Sequence, residues 1–182
     1  MSRAPEISRD AMTAEQQTIY DDIAGGPRGG VRGPFKVLLH SPKLADAVQR
    51  LGAYVRYDCA VPWKLREMAI LITARHWTAQ YEWFAHAKIA REAGLADAVI
   101  ESIRNGRKPD FTDDAEETVW RFATELYTRR RVSDAAFAAA QALLGRQGVV
   151  DLVGLMGHYN VVAMTLNAFE VEVPDGSVPL AD

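Results

Sequence analysis

The chain has 182 residues, 48% of them hydrophobic and 25% charged, which is the composition of an ordinary folded domain rather than a disordered, collagen-like or disulfide-stapled chain. Lys and Arg number 21 against 24 Asp and Glu, a formal net charge of −3, and this disfavours dedicated nucleic-acid binding, which needs a basic face to neutralise phosphates. The lone cysteine, Cys59, excludes an intrachain disulfide and a four-cysteine metal site.

Residues Met1 to Thr13 are polar and lack the apolar stretch of a secretory signal, so the expected location is cytoplasmic. Thr13 followed by Gln16 reads as a capping box opening a helix to about Ala24, which Gly25-Gly26-Pro27-Arg28-Gly29-Gly30 ends as a loop. That loop lacks the Gly-Lys-Ser/Thr ending and the preceding strand of a phosphate cradle. Ser41 and Pro42 supply a cap and a first-turn proline for a helix to about Cys59, with Leu44, Val48, Leu51 and Val55 on one face. Pro62 opens a helix to about His76, and another runs from about Thr78 to Ala93, stopped by Gly94; together they predict a helical hairpin.

Further helices are expected at about 96–104, 113–129 with Asp113 and Glu116 as a capping box, 133–144 and 148–169, with an extended tail after Phe169. The run Arg129-Arg130-Arg131 reads as a solvated helix end. Val149 to Phe169 is long enough to span a bilayer, but Asp151, His158, Asn160 and Asn167 make it a buried core helix instead. An 84-residue offset lays Asp151 on Glu67 and suggests an internal half-repeat. The fold class expected is all-α, one domain over 1–182, with an N-terminal helix and Gly-rich loop (1–34), a core hairpin region (35–95) and a second helical half with a tail (96–182).

The candidate chemistry lies on the hairpin. Glu82 and His86 are four residues apart, so they stack on one helix face whose next members, Ile89 and Ala93, are apolar. Such a pair is either a surface ion pair of about 0.3–0.5 kcal/mol or a carboxylate orienting an imidazole at the edge of the core. Glu67 shares a face with Ile70, Leu71 and Ala74, and folding the hairpin back at Trp77 brings it toward Glu82 and His86. Two carboxylates and one imidazole in a dry pocket can transfer protons near neutral pH; the structural alternative for Glu67 is a first-turn acid favoured by the helix dipole.

These residues, with Tyr81-Glu82-Trp83, Ala90 and Ala93-Gly94-Leu95, resemble the carboxymuconolactone decarboxylase and alkylhydroperoxidase-D-like superfamily over about Phe35 to Leu95. The redox branch of that superfamily carries Cys-x-x-Cys-x-x-x-His and a glutamate twelve residues before the first cysteine. Aligned on His86, the cysteine positions fall on Ala79 and Glu82 and the upstream acid on Glu67. Without either thiol, attack on a peroxide and resolution as a disulfide are both unavailable, and Cys59 reads as a small buried apolar residue.

The resemblance therefore implies the decarboxylase branch. Its chemistry is loss of carbon dioxide from a lactone carboxylic acid, with no metal or organic cofactor, in a homo-oligomer (dimer, trimer or hexamer) that needs no nucleic acid or membrane. It implies His86 as proton donor or shuttle, Glu82 as its orienting partner or alternate base and Glu67 as a further acid. Arg75 is a candidate for holding the substrate carboxylate or a solvated helix-end charge; Tyr81 and His158 are further candidate substrate contacts. Asp151 shares a face with His158, while His40 and His76 read as structural and Trp63, Trp77, Trp83 and Trp120 as core or subunit contacts. The rival readings are a metal enzyme, disfavoured because Glu-x-x-x-His occurs once where di-iron bundles use two Glu-x-x-His pairs, and a family member without its Cys-x-x-Cys that has non-redox or no activity.

Overall fold

The computed structural model describes residues 2–181 and, among them, contains helices and no strand. After a short 3₁₀ turn (Arg9–Ala11) come α1 (Ala14–Gly25), α2 (Pro34–Leu38), α3 (Pro42–Ala53), α4 (Trp63–His76), α5 (Gln80–Glu92), α6 (Asp97–Arg104), α7 (Asp114–Arg129) and α8 (Asp134–Ala168). The all-α expectation holds.

Local chemistry sets several boundaries. The Thr13 capping box forms in full: Gln16 N–H donates to Thr13 Oγ1 at 3.2 Å and Thr13 N–H to Gln16 Oε1 at 2.9 Å. Asp113 caps α7 through Ala115 N–H at 2.8 Å, but no box closes there, because Glu116 is drawn to the Lys64 ammonium at 2.7 Å. Pro42 begins α3 without a side-chain cap from Ser41. The helix predicted from Pro42 to Cys59 stops being α-helical at Ala53 and continues as a π turn, Tyr54–Asp58, closed by Cys59 N–H to Tyr54 O at 3.0 Å. Asp151 fixes this turn from α8, accepting from Tyr54 Oη–H and Ala60 N–H, each at 2.9 Å.

The helices expected at 133–144 and 148–169 both form, and Gly145, at φ +69° and ψ 175°, is the non-helical break between them, so α8 is two helical segments meeting at a kink. Helix α5 begins at Gln80 rather than Thr78, since Thr78 takes φ +47° in the hairpin turn. At the 84-residue offset that turn falls on 161–163, inside α8, so the second half contains no copy of the hairpin.

Helix α4 is the centre of the molecule. Leu65, Met68, Ala69, Ile70, Leu71, Ile72 and Ala74 are all buried, and α5, α6, α7 and α8 pack around it; a helix apolar on nearly every side is a core helix. Helix α8 covers it with Val149, Leu152, Leu155, Met156, Tyr159, Val162 and Leu166. Most polar residues of α8 find partners: Asn160 Nδ2 donates to Tyr127 Oη at 2.9 Å and Asn167 Nδ2 to Trp77 O at 2.7 Å, tying the hairpin turn to α8. The tail is pinned by reciprocal bonds between Gln80 and Leu180, both 2.8 Å. A smaller apolar cluster of Met12, Ile23, Val31, Phe35, Leu38, Leu39, Ala45 and Val48 holds the N-terminal segment against α3. It brings the Gly-rich loop over the open edge of the hairpin. At Gly33, φ +53°, a Cβ would lie 2.6 Å from the Tyr81 ring, so the loop packs there only as glycine.

Candidate active site

Three helices converge on one polar cluster. Glu67 from α4 is 2% exposed, Glu82 and His86 from α5 are 1% and 6% exposed, and His158 from α8 is 2% exposed. His86 Nδ1 meets Glu67 Oε2 at 2.7 Å. With the carboxylate accepting from Nδ1–H, the imidazole keeps Nε2 as a free lone pair, the arrangement of a general base held in one tautomer. Tyr159 fixes the rings, meeting His86 edge-on at 5.0 Å and His158 edge-on at 5.1 Å between centroids.

Glu82, His86, His158 and Tyr159 line a cavity of about 350 Å³, near the lower end of small-molecule sites. The Gly-rich loop adds Arg28 and Arg32, α2 adds Phe35, and the π turn adds Arg56 and Tyr57. Glu67 faces a second cavity of about 410 Å³ that shares Arg56 and Tyr57. The Glu67–His86 pair thus stands between the two.

Both carboxyl oxygens of Glu82 are buried without a hydrogen-bond partner. Burial pushes its pKa well above the usual carboxylate range, since no donor or cation offsets the cost of a charge there. The shift favours the protonated form of Glu82. His158 moves the other way: burial first, then chiefly the positive field of Arg28 with a smaller one from Arg56, holds its pKa down to about 3, so the ring is neutral. The Tyr159 phenol is pushed up by burial and stays protonated.

The geometry corrects the expected roles on α5. Glu67, not Glu82, is the hydrogen-bond partner of His86, and Glu82 stands apart without a partner one helical turn away. Tyr81 and His158 do line the cavity. Arg75 does not: its guanidinium donates to Ala181 O at 3.0 Å and Thr78 Oγ1 at 3.3 Å, and it borders a different groove, with His76 and Trp120. Asp151 also stays out of the cavity, occupied by the π turn. Cys59 is buried, its Sγ 3.0 Å from Val55 O. Among the described residues no group of three or more His, Cys, Asp or Glu side chains is placed to hold a metal ion.

Sequence reasoning missed Arg28, Arg32, Arg56, Tyr57 and Tyr159. The one signal for the first two was a pair of arginines within the Gly-rich stretch and its continuation to Gly33; nothing in the sequence marked the π turn.

Residues 42–125 match the carboxymuconolactone decarboxylase family. No curated protein matches the sequence. Among solved structures, an uncharacterized peroxidase-related protein from Ralstonia eutropha JMP134, described as an alkylhydroperoxidase AhpD core, superposes with a TM-score of 0.78 at 19% identity, covering 96% of this chain and 93% of that one. The debrominase Bmp8 superposes with a TM-score of 0.71 at 13% identity, covering 96% and 92%. Its cysteine-to-alanine variant in complex with 2,3,4-tribromopyrrole gives 0.70 at 14% identity, covering 98% and 96%. The family match contains Glu67, Glu82 and His86, and the fold shared with the alkylhydroperoxidase AhpD core extends over nearly the whole length, so residues 42–125 are similar to the carboxymuconolactone decarboxylase family within an AhpD-like helical fold.

Proposed function

We propose that this protein catalyses acid–base chemistry on a small carboxylic acid, and specifically the decarboxylation of a lactone carboxylate. The observation that carries the reading is the pairing, in one cavity, of a carboxylate-bound imidazole (Glu67–His86) with a partnerless buried carboxyl (Glu82). The imidazole offers a ring nitrogen to take a proton and the buried carboxyl a proton to give, the two halves of acid–base catalysis.

In this scheme the C–C bond to the carboxylate breaks, carbon dioxide departs, and the electron pair passes into the conjugated lactone carbonyl as an enolate. Glu82 delivers its proton to the carbanionic carbon. His86 Nε2, backed by Glu67, carries a proton from water to restore Glu82, and the second cavity beside Glu67 gives that relay a solvent side away from the substrate. The proton is the only co-reactant, so the balance closes. Peroxide or disulfide chemistry finds no thiol at positions 79 and 82.

The test is a panel of lactone carboxylates followed by release of carbon dioxide, run in deuterium oxide so that protonation of carbon leaves a label in the product. The wild type should turn over at least one member and incorporate one deuteron. His86→Ala should lower the rate about 10²–10⁴-fold, and Glu82→Gln, which keeps the shape but has no acidic proton, should do the same. Full activity in the double variant, or no turnover of any member by the wild type, would overturn the reading.

A further inference from the structure

The cavity contains cations with no counter-charge. Among the described residues Arg28, Arg32 and Arg56 form no ion pair, and Arg28 Nε and Nη2 are buried without a hydrogen-bond partner. Arg28 sits over the Phe35 ring, guanidinium carbon to ring centroid 4.5 Å, and both residues line the cavity. His158 adds a second unsatisfied group, its Nδ1 buried and partnerless. Asp151, Asn160 and Asn167 on the same helix all have partners, so the orphan is confined to the cavity wall. Arg28 and His158 also approach the same point of α3: a Cβ at Gly52 would lie 2.6 Å from His158 Cε1 and would collide with Arg28 Nη2. The chain leaves room for both groups by having no side chain there. Among the described residues lining the cavity Glu82 is the one acid, and its carboxyl oxygens make no hydrogen bond to the arginines.

Buried donors that fold without partners are expensive unless a ligand satisfies them. We propose that Arg28, Arg56 and His158 form an anion subsite that holds a carboxylate of the substrate, with the Gly-rich loop from Gly25 to Gly33 acting as the specificity element that carries Arg28 to it. The planar fork of Arg28 suits a carboxylate through two parallel hydrogen bonds; Arg56 adds charge from the π turn, and Phe35 and Tyr159 supply flat apolar walls for a small ring. The substrate class is therefore a small ring acid that keeps its anionic group against the loop while its reacting carbon faces Glu82 and His86. A carboxylate clamped by arginine is stabilised where it is, so this group is an anchor.

This inference deepens the proposed function and rests on it only for calling the bound anion a substrate group. Calorimetry with 2-furoate, a flat five-membered ring acid, tests the subsite without turnover, and the neutral 2-furamide is the comparison. The wild type should bind 2-furoate saturably and 2-furamide at least about tenfold more weakly. Arg28→Gln and Arg56→Gln should each weaken 2-furoate about 10- to 100-fold, Arg28→Lys should fall between, and Arg75→Gln should match the wild type. Circular dichroism on each variant checks folding, and two independent arginines keep the test open if one variant fails to fold. Equal binding of acid and amide, no binding of 2-furoate by the wild type, or unchanged affinity in the arginine variants would overturn the subsite. If 2-furoate binds through Arg28 while no lactone acid is decarboxylated, the functional proposal fails and the subsite stands. If turnover occurs and Arg28→Gln leaves KM unchanged, the subsite fails and the functional proposal stands.

Discussion

His158 gives a stability prediction whose size follows from its surroundings. The ring is 2% exposed and faces Arg28 and Arg56, so its pKa falls from the ordinary 6.5 to about 3. A histidine whose folded value is lowered contributes its full stability above the unfolded value and loses it as the pH falls through 6.5 toward about 3. At about pH 5 the folded ring is still neutral while the unfolded ring is almost wholly protonated, so the loss relative to about pH 7.5 is about 2 kcal/mol. Its limit, reached below the folded value, is about 5 kcal/mol. The perturbation is His158→Gln, which keeps a polar side chain of similar reach and cannot titrate. Urea unfolding of both proteins at about pH 7.5 and about pH 5 gives the difference directly, because any fixed cost of the substitution cancels and the remaining titrating groups are common to the pair. The wild type should lose about 2 kcal/mol more than the variant over that interval. Parallel losses would mean that His158 takes up its proton in the folded state, and the electrostatic account of the cavity would be wrong.

Glu82 has the opposite sign. Its folded pKa is raised, so its contribution to stability is complete below the unfolded value of 4.5 and is lost as the pH rises toward the folded value; Glu82→Gln should therefore gain stability relative to the wild type between about pH 4 and about pH 8, read by thermal unfolding, and no change in the difference would refute a neutral Glu82. Cys59→Ser should leave activity on a lactone acid unchanged, since the thiol is buried against Val55 O and outside the cavity; a loss of activity in a folded variant would place the thiol in the chemistry. In solution the protein should be a homo-oligomer through the outer face of α8, where Val150, Val153, Val161 and Met164 are exposed. Light scattering should give a multiple of the chain mass, and Val150→Glu should lower it; a wild-type monomer refutes the expectation.

The parts of the site that could be read in sequence are those set by periodicity. Glu67 on a face with Ile70, Leu71 and Ala74, and Glu82 four residues from His86, both put polar groups against a core, and the hairpin at Trp77 brings them together. Partner choice was not legible. Spacing of four places Glu82 beside His86 along the helix, but helical side chains lean toward the N-terminus over their own turn, and the gap between α4 and α5 is where the imidazole finds Glu67. Arg75 failed for a reason of length. It lies eight residues beyond Glu67, about 12 Å along the helix axis, and by then α4 has left the cavity and reached the tail. Arg28 and Arg56 belong to segments whose shape depends on distant contacts: the loop is placed by packing of α1 and α2, and the π turn is held by Asp151, almost a hundred residues away. No local pattern encodes either.

Under the proposed function, position 82 is where the chemistry of this scaffold would be set. The site supplies burial, no donor for the side chain and an imidazole one turn away backed by Glu67. A carboxyl placed there has its pKa raised by burial, which in the proposed scheme suits it to give a proton. A thiol placed there meets the same cost of charge, but its useful form is the thiolate, and the His86 lone pair can take its proton. Residue 79 adds the second half of the device, since it is the N-cap of α5 and is fully buried, where the positive end of the helix favours an anion. The double variant Ala79→Cys, Glu82→Cys therefore restores the spacing Cys-x-x-Cys-x-x-x-His on an intact Glu67–His86 pair. It should form a reversible 79–82 disulfide, detected as two thiols that disappear on oxidation and return with a dithiol. It should also consume an organic hydroperoxide in the presence of that dithiol, which the wild type should not do, while losing any activity on a lactone carboxylate. The single variant Glu82→Cys should react with peroxide but stall without a resolving thiol. A folded double variant whose thiols titrate as ordinary cysteines and ignore peroxide would show that the Glu67–His86 pair does not act as a base toward position 82, and the proton relay assigned to it would fall with that result.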